Sequence, residues 1–153
     1  MNNTENPLQV HGFDHVTLIV ADLSATRDFY VGILGMTEMP RPDFDFPGAW
    51  FQVGAVQIHA TVASKLAGLS GWGDRKVISV SRGHHFAFEV TDVGAAYQHA
   101  KEFGVEVADG PKTRPDGAYQ LYVYDPDRHL VELFSFPTDQ PKFSIGKIKT
   151  TDD

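Results

Sequence analysis

The stretch His15-Val-Thr-Leu-Ile-Val-Ala-Asp22 decides the fold, because His85-Phe-Ala-Phe-Glu-Val-Thr-Asp92 repeats its pattern 70 residues later. Each copy is a strand-sized apolar run that starts at a histidine and ends on an aspartate. Alternate side chains of such a run point to opposite faces of a sheet, so one face can pack on a core while the other stays free. The chain therefore contains an internal repeat, and each half begins with a strand.

A helical pattern follows the aspartate of each copy. It runs from Leu23 to Leu34 and is closed by Gly35 in the first half, and from Val93 to Phe103 and is closed by Gly104 in the second. Each aspartate stands at the N-cap, where its carboxylate can accept a backbone N–H, and a glycine after the last turn is typical of a helix C-terminus. We expect one helix after the first strand of each half.

Three strand-like runs follow each helix, separated by turns rich in proline and glycine. The order β-α-β-β-β therefore occurs twice, which predicts an α+β fold of two tandem βαβββ modules. The runs are Thr37–Met39, Trp50–Val53 and Val56–Val62 in the first half, and Glu106–Ala108, Gln120–Tyr124 and Leu130–Phe136 in the second.

The same pattern divides the chain into segments. We expect a single domain over 12–137, preceded by an N-terminal extension over 1–11 and followed by a polar tail over 138–153. Within the domain, the boundaries predict module one at 12–62, a connector at 63–83 with an extra strand at Val77–Val80, and module two at 84–137.

Composition narrows the class of function. The 153 residues carry a net charge of −7, which disfavours nucleic acid and anionic membrane surfaces as partners. There is no cysteine, so disulfides and thiolate metal sites are excluded. No apolar run reaches the length of a membrane span, and the first residues lack a signal-like segment, so we expect a cytoplasmic protein.

Four polar residues occupy equivalent positions on the strand face that does not meet the helix. Alternation places His15 and His85 there in the first strand of each module, and His59 and Glu132 in the last strand. Three imidazoles and one carboxylate suit one divalent transition metal per site, either tetrahedral zinc or octahedral iron, manganese, nickel or cobalt. The four residues are therefore candidate metal ligands.

With these motifs the chain resembles the vicinal-oxygen-chelate family over about residues 12–137. The resemblance is carried by the two repeat strands, by Phe29-Tyr30 and Leu34-Gly35-Met36 in the first helix, and by Asp125-Pro-Asp ahead of Val131-Glu132-Leu133. The family includes glyoxalase I, methylmalonyl-CoA epimerase, fosfomycin-resistance transferases, extradiol dioxygenases and bleomycin-resistance proteins. It implies two modules that form a curved mixed sheet around a metal-binding cleft, with ligands at His15, His59, His85 and Glu132.

Two positions depart from the pattern of the family. Histidine 59 stands where glyoxalases and epimerases commonly have glutamate or glutamine, so one candidate carboxylate base is missing. Arg128-His129 stands where many relatives have Gly-Asn, which we interpret as turn variation. We expect His129, like His11 and His99, to be structural or solvated, and His84 to be structural or on the surface.

The resemblance implies a metal-dependent lyase or isomerase that acts on a small metabolite with adjacent oxygens through an enediolate, with Glu132 as the base. One alternative is an Fe(II)-dependent extradiol-type dioxygenase, for which His15, His85 and Glu132 would supply the two-histidine, one-carboxylate triad. Another is a non-catalytic drug or toxin binder of the bleomycin-resistance type. A homodimer is also implied, with the site formed either within one chain or across two.

Further residues are candidates for contact with a small-molecule substrate. Thr17 and Gln57 share the cleft face, Arg114 could clamp a carboxylate, and aromatic residues could form an apolar wall. The predicted substrate-binding set is Thr17, Gln57, Trp50, Arg114 and Tyr122, with Phe44, Phe46, Phe51 and Tyr119 as further aromatic candidates.

Overall fold

A computed structural model describes residues 8–72 and 80–138 of the chain and has the predicted β-α-β-β-β order in each half. Module one contains β1 (His15–Val20), α1 (Leu23–Arg27) with a π-helical continuation (Asp28–Ile33), β2 (Thr37–Met39), β3 (Gly48–Val53) and β4 (Val56–Val62). Module two contains β5 (Phe86–Glu89), α2 (Val93–Glu102), β6 (Val107–Thr113), β7 (Tyr119–Tyr124) and β8 (Leu130–Ser135), preceded by a 3₁₀ turn at Val80–Arg82.

Two predicted features fall wholly or partly outside the described residues. The extra strand at Val77–Val80 lies there except for Val80, which begins the 3₁₀ turn. The tail lies there from residue 139 onward.

Both helix N-termini are capped as the sequence predicts. The Oδ1 atoms of Asp22 and Asp92 accept hydrogen bonds from the third backbone N–H of their helices, at 2.9 and 2.7 Å. At the other end, Gly35 and Gly104 have φ angles of 72° and 67°, in the left-handed region where a side chain would be strained.

The first helix differs from the prediction in its second half. One helix is expected over Leu23–Leu34, but from Asp28 the hydrogen bonds widen to the π pattern, and Leu34 N donates to Phe29 O at 2.9 Å. Phe29 and its neighbour Tyr30 are both buried there. The wider turn thus accompanies the burial of two adjacent aromatic side chains.

Strand β6 is longer than predicted. The predicted run is Glu106–Ala108 followed by a turn, whereas the strand continues through Gly110 and Pro111 as an irregular edge strand with register shifts against β7. Proline is tolerated at a sheet edge because its missing N–H is not needed there. A Cβ on Gly110 would lie 2.7 Å from Gln120 O, so the close approach of the two strands requires glycine.

The strands form two four-stranded mixed sheets, ordered β1-β4-β3-β2 and β5-β8-β7-β6, which confirms the predicted fold class. In each sheet the first and last strands of the module are parallel neighbours, and the rest is antiparallel. This pairing brings Thr17 beside His59 and Ala87 beside Glu132. Strands β1 and β5 each form one edge of their sheet.

The helix-bearing faces of both sheets meet in a single hydrophobic core, with Leu18 and Ile58 from one module and Leu121 and Val131 from the other. A buried hydrogen bond between the modules, from Tyr30 Oη to Asp125 Oδ2 at 2.9 Å, joins residues 95 positions apart. Because alternate side chains of a strand point to opposite faces, the predicted ligands lie on the faces turned away from this core. Within the described ranges, no helix is both long and apolar enough to cross a membrane.

Candidate functional site

In module one, two of the predicted ligands lie against each other. The imidazole rings of His15 and His59 stack with centroids 3.9 Å apart and an interplanar angle of 15°. The other face of His59 is covered by Trp50, whose ring is stacked 4.1 Å away at 6°. Parallel pairing of β1 with β4 and antiparallel pairing of β3 with β4 bring the three rings to the same face.

Each histidine of this pair has one ring nitrogen committed to an oxygen acceptor. His15 Nδ1 lies 2.6 Å from Asp14 Oδ2, and His59 Nε2 lies 2.8 Å from Gln57 Oε1. A carboxylate or amide oxygen can only accept, so these nitrogens carry the protons and His15 Nε2 and His59 Nδ1 are left with free lone pairs. Burial, followed by the repulsion that a protonated His15 would exert, lowers the pKa of His59, which favours the neutral imidazole that binds metals.

In module two, His85 and Glu132 form the second pair. His85 Nδ1 donates to Gly83 O at 2.8 Å, which leaves the Nε2 lone pair facing Glu132 Oε2 at 3.1 Å. The Glu132 side chain is only 5 % exposed. A nitrogen lone pair and a carboxylate oxygen at this distance repel each other unless a proton or a metal cation lies between them.

Arg114 holds the other oxygen of Glu132. Its Nη1 lies 3.1 Å from Glu132 Oε1, while Nε and Nη2 bind both oxygens of Asp116 at 2.9 and 2.6 Å. These two carboxylates raise the pKa of Arg114, and the hydrogen bonds that Arg114 donates to Asp116 contribute most. The residue predicted to clamp a substrate carboxylate is thus engaged by carboxylates of the protein itself.

Tyr122 lies beside the same pair. Its ring packs edge-on against His85 with centroids 5.3 Å apart. Burial, with the charge of Glu132 as the next cause, raises the pKa of Tyr122 to about 12. The phenol therefore stays protonated at neutral pH, and next to Glu132 it donates a long hydrogen bond, of 3.4 Å, to Gln120 Oε1.

The structure brings the four predicted ligands together as two pairs, one in each module. Among residues 8–72 and 80–138, no three His, Asp or Glu side chains are placed to share one metal ion. Of the remaining candidates in module one, Thr17 is exposed on β1 and Gln57 orients His59. Phe51, an aromatic wall candidate, is instead fully buried in the core.

A cavity of about 590 Å³ opens beside His85, lined by Trp72, Gly83 and His84 as well. His84 is exposed there, next to the predicted ligand, and its ring lies 6.4 Å from that of Trp72. Trp72 comes from the connector, which carries no pattern that would assign it to the site. The sequence feature that could have predicted a cavity at this place is the doublet His84-His85.

His129 is the most deeply buried histidine of the described part of the chain. It is inaccessible to solvent, and its Nδ1 donates to Asp125 Oδ2 at 2.8 Å. Its Nε2 has no hydrogen-bond partner. Of the two predicted roles, the structure supports the structural one, because His129 belongs to the buried network that joins the modules.

Comparisons with known proteins show the family to which the chain is similar. A family model described as the Glyoxalase/Bleomycin resistance protein/Dioxygenase superfamily matches residues 12–133. Glyoxylase I 4 of Arabidopsis thaliana is 24% identical over 132 residues, covering 84% of this chain and 72% of that protein. The glyoxalase domain-containing protein RDO1 of Mycosarcoma maydis is 26% identical over 136 residues, covering 86% and 72%.

Solved structures also resemble the chain. The crystal structure of the fosfomycin resistance protein FosX from Listeria monocytogenes matches with a TM-score of 0.64 and 25% identity, covering 85% of this chain and 97% of that one. A glyoxalase/bleomycin resistance protein/dioxygenase from Alicyclobacillus acidocaldarius matches with a TM-score of 0.62 and 18% identity, covering 87% and 97%. The second likeness bears on the fold alone.

Proposed function

Because the chain belongs to the glyoxalase, bleomycin resistance protein and dioxygenase superfamily, we propose that it is a divalent-metal-dependent lyase or isomerase of glyoxalase type. Members of this superfamily bind small molecules and commonly use a divalent metal. The proposed substrate is a small metabolite with two adjacent oxygens, and the proposed ligands are His15, His59, His85 and Glu132.

The hydrogen bonding of the three histidines carries this proposal. Each has one ring nitrogen bonded to an oxygen, of Asp14, Gln57 or Gly83. The other nitrogen of His15 and of His59 has no partner among the described residues, and that of His85 faces Glu132 Oε2 at 3.1 Å. Metal-binding histidines have this arrangement, in which the second nitrogen donates to a carboxylate or carbonyl that fixes the ring and raises its basicity. The donor set of imidazole nitrogens and one carboxylate therefore fits zinc, nickel, cobalt, manganese or iron.

A divalent ion bound there would supply the positive charge that stabilises negative charge developing on two adjacent substrate oxygens. Residues of the chain would supply proton transfer and hydrogen bonding to the substrate. Arg114 holds Glu132 Oε1 at 3.1 Å, so Oε2 is the oxygen that faces the site and the one through which Glu132 takes up and returns a proton. The hydroxyl of Tyr122 would turn from its long hydrogen bond to Gln120 Oε1, at 3.4 Å, to donate to a substrate oxygen.

We further propose that the protein is a homodimer in which each site combines the His15–His59 pair of one chain with the His85–Glu132 pair of its partner. Two observations support this arrangement: the pairs lie in separate modules on faces turned away from the shared core, and β1 and β5 are edge strands. A two-fold axis that joins module one to module two of the partner would create two equivalent sites.

Co-expression of two defective chains tests both parts of the proposal. One chain carries His15→Ala and His59→Ala, and the other carries His85→Ala and Glu132→Ala under a second affinity tag. Each variant alone is expected to lose its metal. A hybrid dimer purified through both tags has one intact site if the site is shared between chains, and we expect about half of the wild-type metal content.

Hybrid dimers without metal, beside a wild type that contains it, would refute the shared site and favour one within a single chain. The identity of the bound metal separates the reaction classes. Bound iron, together with consumption of oxygen when a catechol is added, would favour the dioxygenase alternative. Bound nickel, cobalt, manganese or zinc would support lyase or isomerase chemistry. A folded wild type that takes up no divalent ion would favour a non-catalytic binder.

A further inference from the structure

The loop between β2 and β3 holds one arginine in a fixed position. The guanidinium carbon of Arg41 lies 4.6 Å from the ring centroid of Phe44 and 4.7 Å from that of Phe46. Its Nη2 donates to Phe46 O at 3.0 Å, and Pro40, Pro42 and Pro47 restrict the loop backbone. The cation therefore packs against both aromatic rings, whose own centroids lie 5.2 Å apart.

Among the described residues, Arg41 lacks the carboxylate partner that Arg27, Arg114 and Arg128 have. Arg27 pairs with Glu38 at 2.9 Å and Arg128 with Glu106 at 2.8 Å. Within residues 8–72 and 80–138, no carboxylate pairs with Arg41, although Asp43 and Asp45 are in the same loop. Most N–H donors of this guanidinium are thus free to bind an external anion.

A continuous row of rings connects this arginine to the proposed metal ligands. Phe44 lies 6.2 Å from Trp50, which stacks on His59, which in turn stacks on His15. Phe44 is 43 % exposed, so its ring is open to a ligand. The row therefore offers an apolar wall with a fixed positive charge at one end and two imidazole nitrogens at the other.

We propose that Arg41 and Phe44 determine which substrates enter the site. The substrate class is an organic anion: a carboxylate or phosphonate group binds Arg41, and a flat apolar part packs on Phe44 and Trp50. Arginine suits this role because its planar guanidinium binds oxyanions through paired hydrogen bonds and also packs on aromatic rings. The inference rests on the proposed function, because it concerns the substrate of the same site.

Isothermal titration calorimetry with phenylphosphonate, which combines a ring with an anion, tests the inference directly. Benzyl alcohol serves as the uncharged probe and methylphosphonate as the probe without a ring. The proteins are wild type, Arg41→Gln, Arg41→Lys, Phe44→Ala and the matched control Arg128→Gln, whose arginine also packs on a ring, that of Tyr124 at 4.2 Å. Circular dichroism checks that each variant is folded.

We expect Arg41→Gln to weaken phenylphosphonate binding about 10- to 100-fold, since charge-assisted hydrogen bonds are lost. Arg41→Lys should retain part of the affinity, and Phe44→Ala should weaken phenylphosphonate more than methylphosphonate. Arg41→Gln should leave the binding of benzyl alcohol unchanged, because this probe has no anion, and Arg128→Gln should match wild type with every probe. Equal binding of phenylphosphonate by wild type and Arg41→Gln, or no saturable binding by wild type at millimolar concentration, would overturn the inference.

Each titration is run on protein stripped with a chelator and again after reloading with Mn²⁺, because phosphonates also bind metals. Arg41-dependent binding to a chain that takes up no metal would leave this inference standing and refute the proposed metalloenzyme. Metal uptake together with phenylphosphonate binding that is independent of Arg41 would support the proposed metalloenzyme and refute the role of Arg41.

Discussion

The substitution Tyr30→Phe removes a single oxygen atom from the contact between the two modules. The Tyr30 side chain is fully buried, and its hydroxyl donates to Asp125 Oδ2 at 2.9 Å. The same carboxylate accepts three more hydrogen bonds, from His129 Nδ1 and from the backbone N–H groups of Asp127 and His129. The variant therefore weakens the network without opening a large cavity.

The expected loss can be worked out from these contacts. A hydrogen bond to a charged group contributes about 1.5–3 kcal/mol, and three of the four bonds to Asp125 remain, so we expect a loss of about 2 kcal/mol in the free energy of unfolding. For a chain of this length that loss corresponds to a melting temperature lower by about 4–8 °C.

Urea unfolding followed by far-UV circular dichroism measures the change, with Tyr119→Phe as the matched control. Tyr119 is 47 % exposed, so its variant should lie within about 0.5 kcal/mol of wild type. If Tyr30→Phe is as stable as Tyr119→Phe, the buried hydrogen bond does not stabilise the contact between the modules, and our reasoning on this network is wrong.

Three further predictions concern pH, the carboxylate site and a helix cap. Burial and the charge of Asp125 hold the pKa of Tyr30 well above its usual range. The free energy of unfolding should therefore fall as the pH rises above about 10, the usual pKa of tyrosine. Urea titrations should show a smaller fall in Tyr30→Phe, which has no phenol to ionise. Arg114→Gln removes the cation that binds the buried Glu132, so it should lower the free energy of unfolding by about 1–3 kcal/mol. Asp116→Asn, at a more exposed carboxylate, should lower it by less than about 1 kcal/mol. Equal losses of the two variants in urea unfolding would contradict this prediction. Asp92→Ala removes the N-cap of α2 and should cost about 1 kcal/mol in the same assay, and an unchanged midpoint would refute the capping role.

Much of the fold is readable from local patterns. The repeat that begins at His15 and His85 predicts both modules, and the two aspartate caps and two glycine ends lie where expected. These features depend on residues close together in the chain, so a single sequence carries them. Strand parity also places the four candidate ligands on the face that does not meet the helix, but their pairing depends on the contacts of β1 with β4 and of β5 with β8, which join distant residues.

The remaining features depend on contacts between distant residues. The hydrogen bond between Tyr30 and Asp125 joins the helix of one module to the other module, and no local sequence pattern predicts it. The relative placement of the two ligand pairs follows from that packing, which is why the sequence leaves open whether a site lies within one chain or across two. The ion pair of Arg114 with Glu132 could not be predicted for the same reason, because the two side chains meet only when the loop after β6 packs against β8.

The metal content of the wild-type protein, purified without a chelator or a metal-binding tag, tests the central claim most directly. Elemental analysis beside a measurement of the mass in solution should give about one divalent transition metal per chain in a dimer, lost in both His59→Ala and Glu132→Ala. Folded wild-type protein that contains no metal and takes none up from added Zn²⁺, Ni²⁺, Co²⁺, Mn²⁺ or Fe²⁺ would contradict the account.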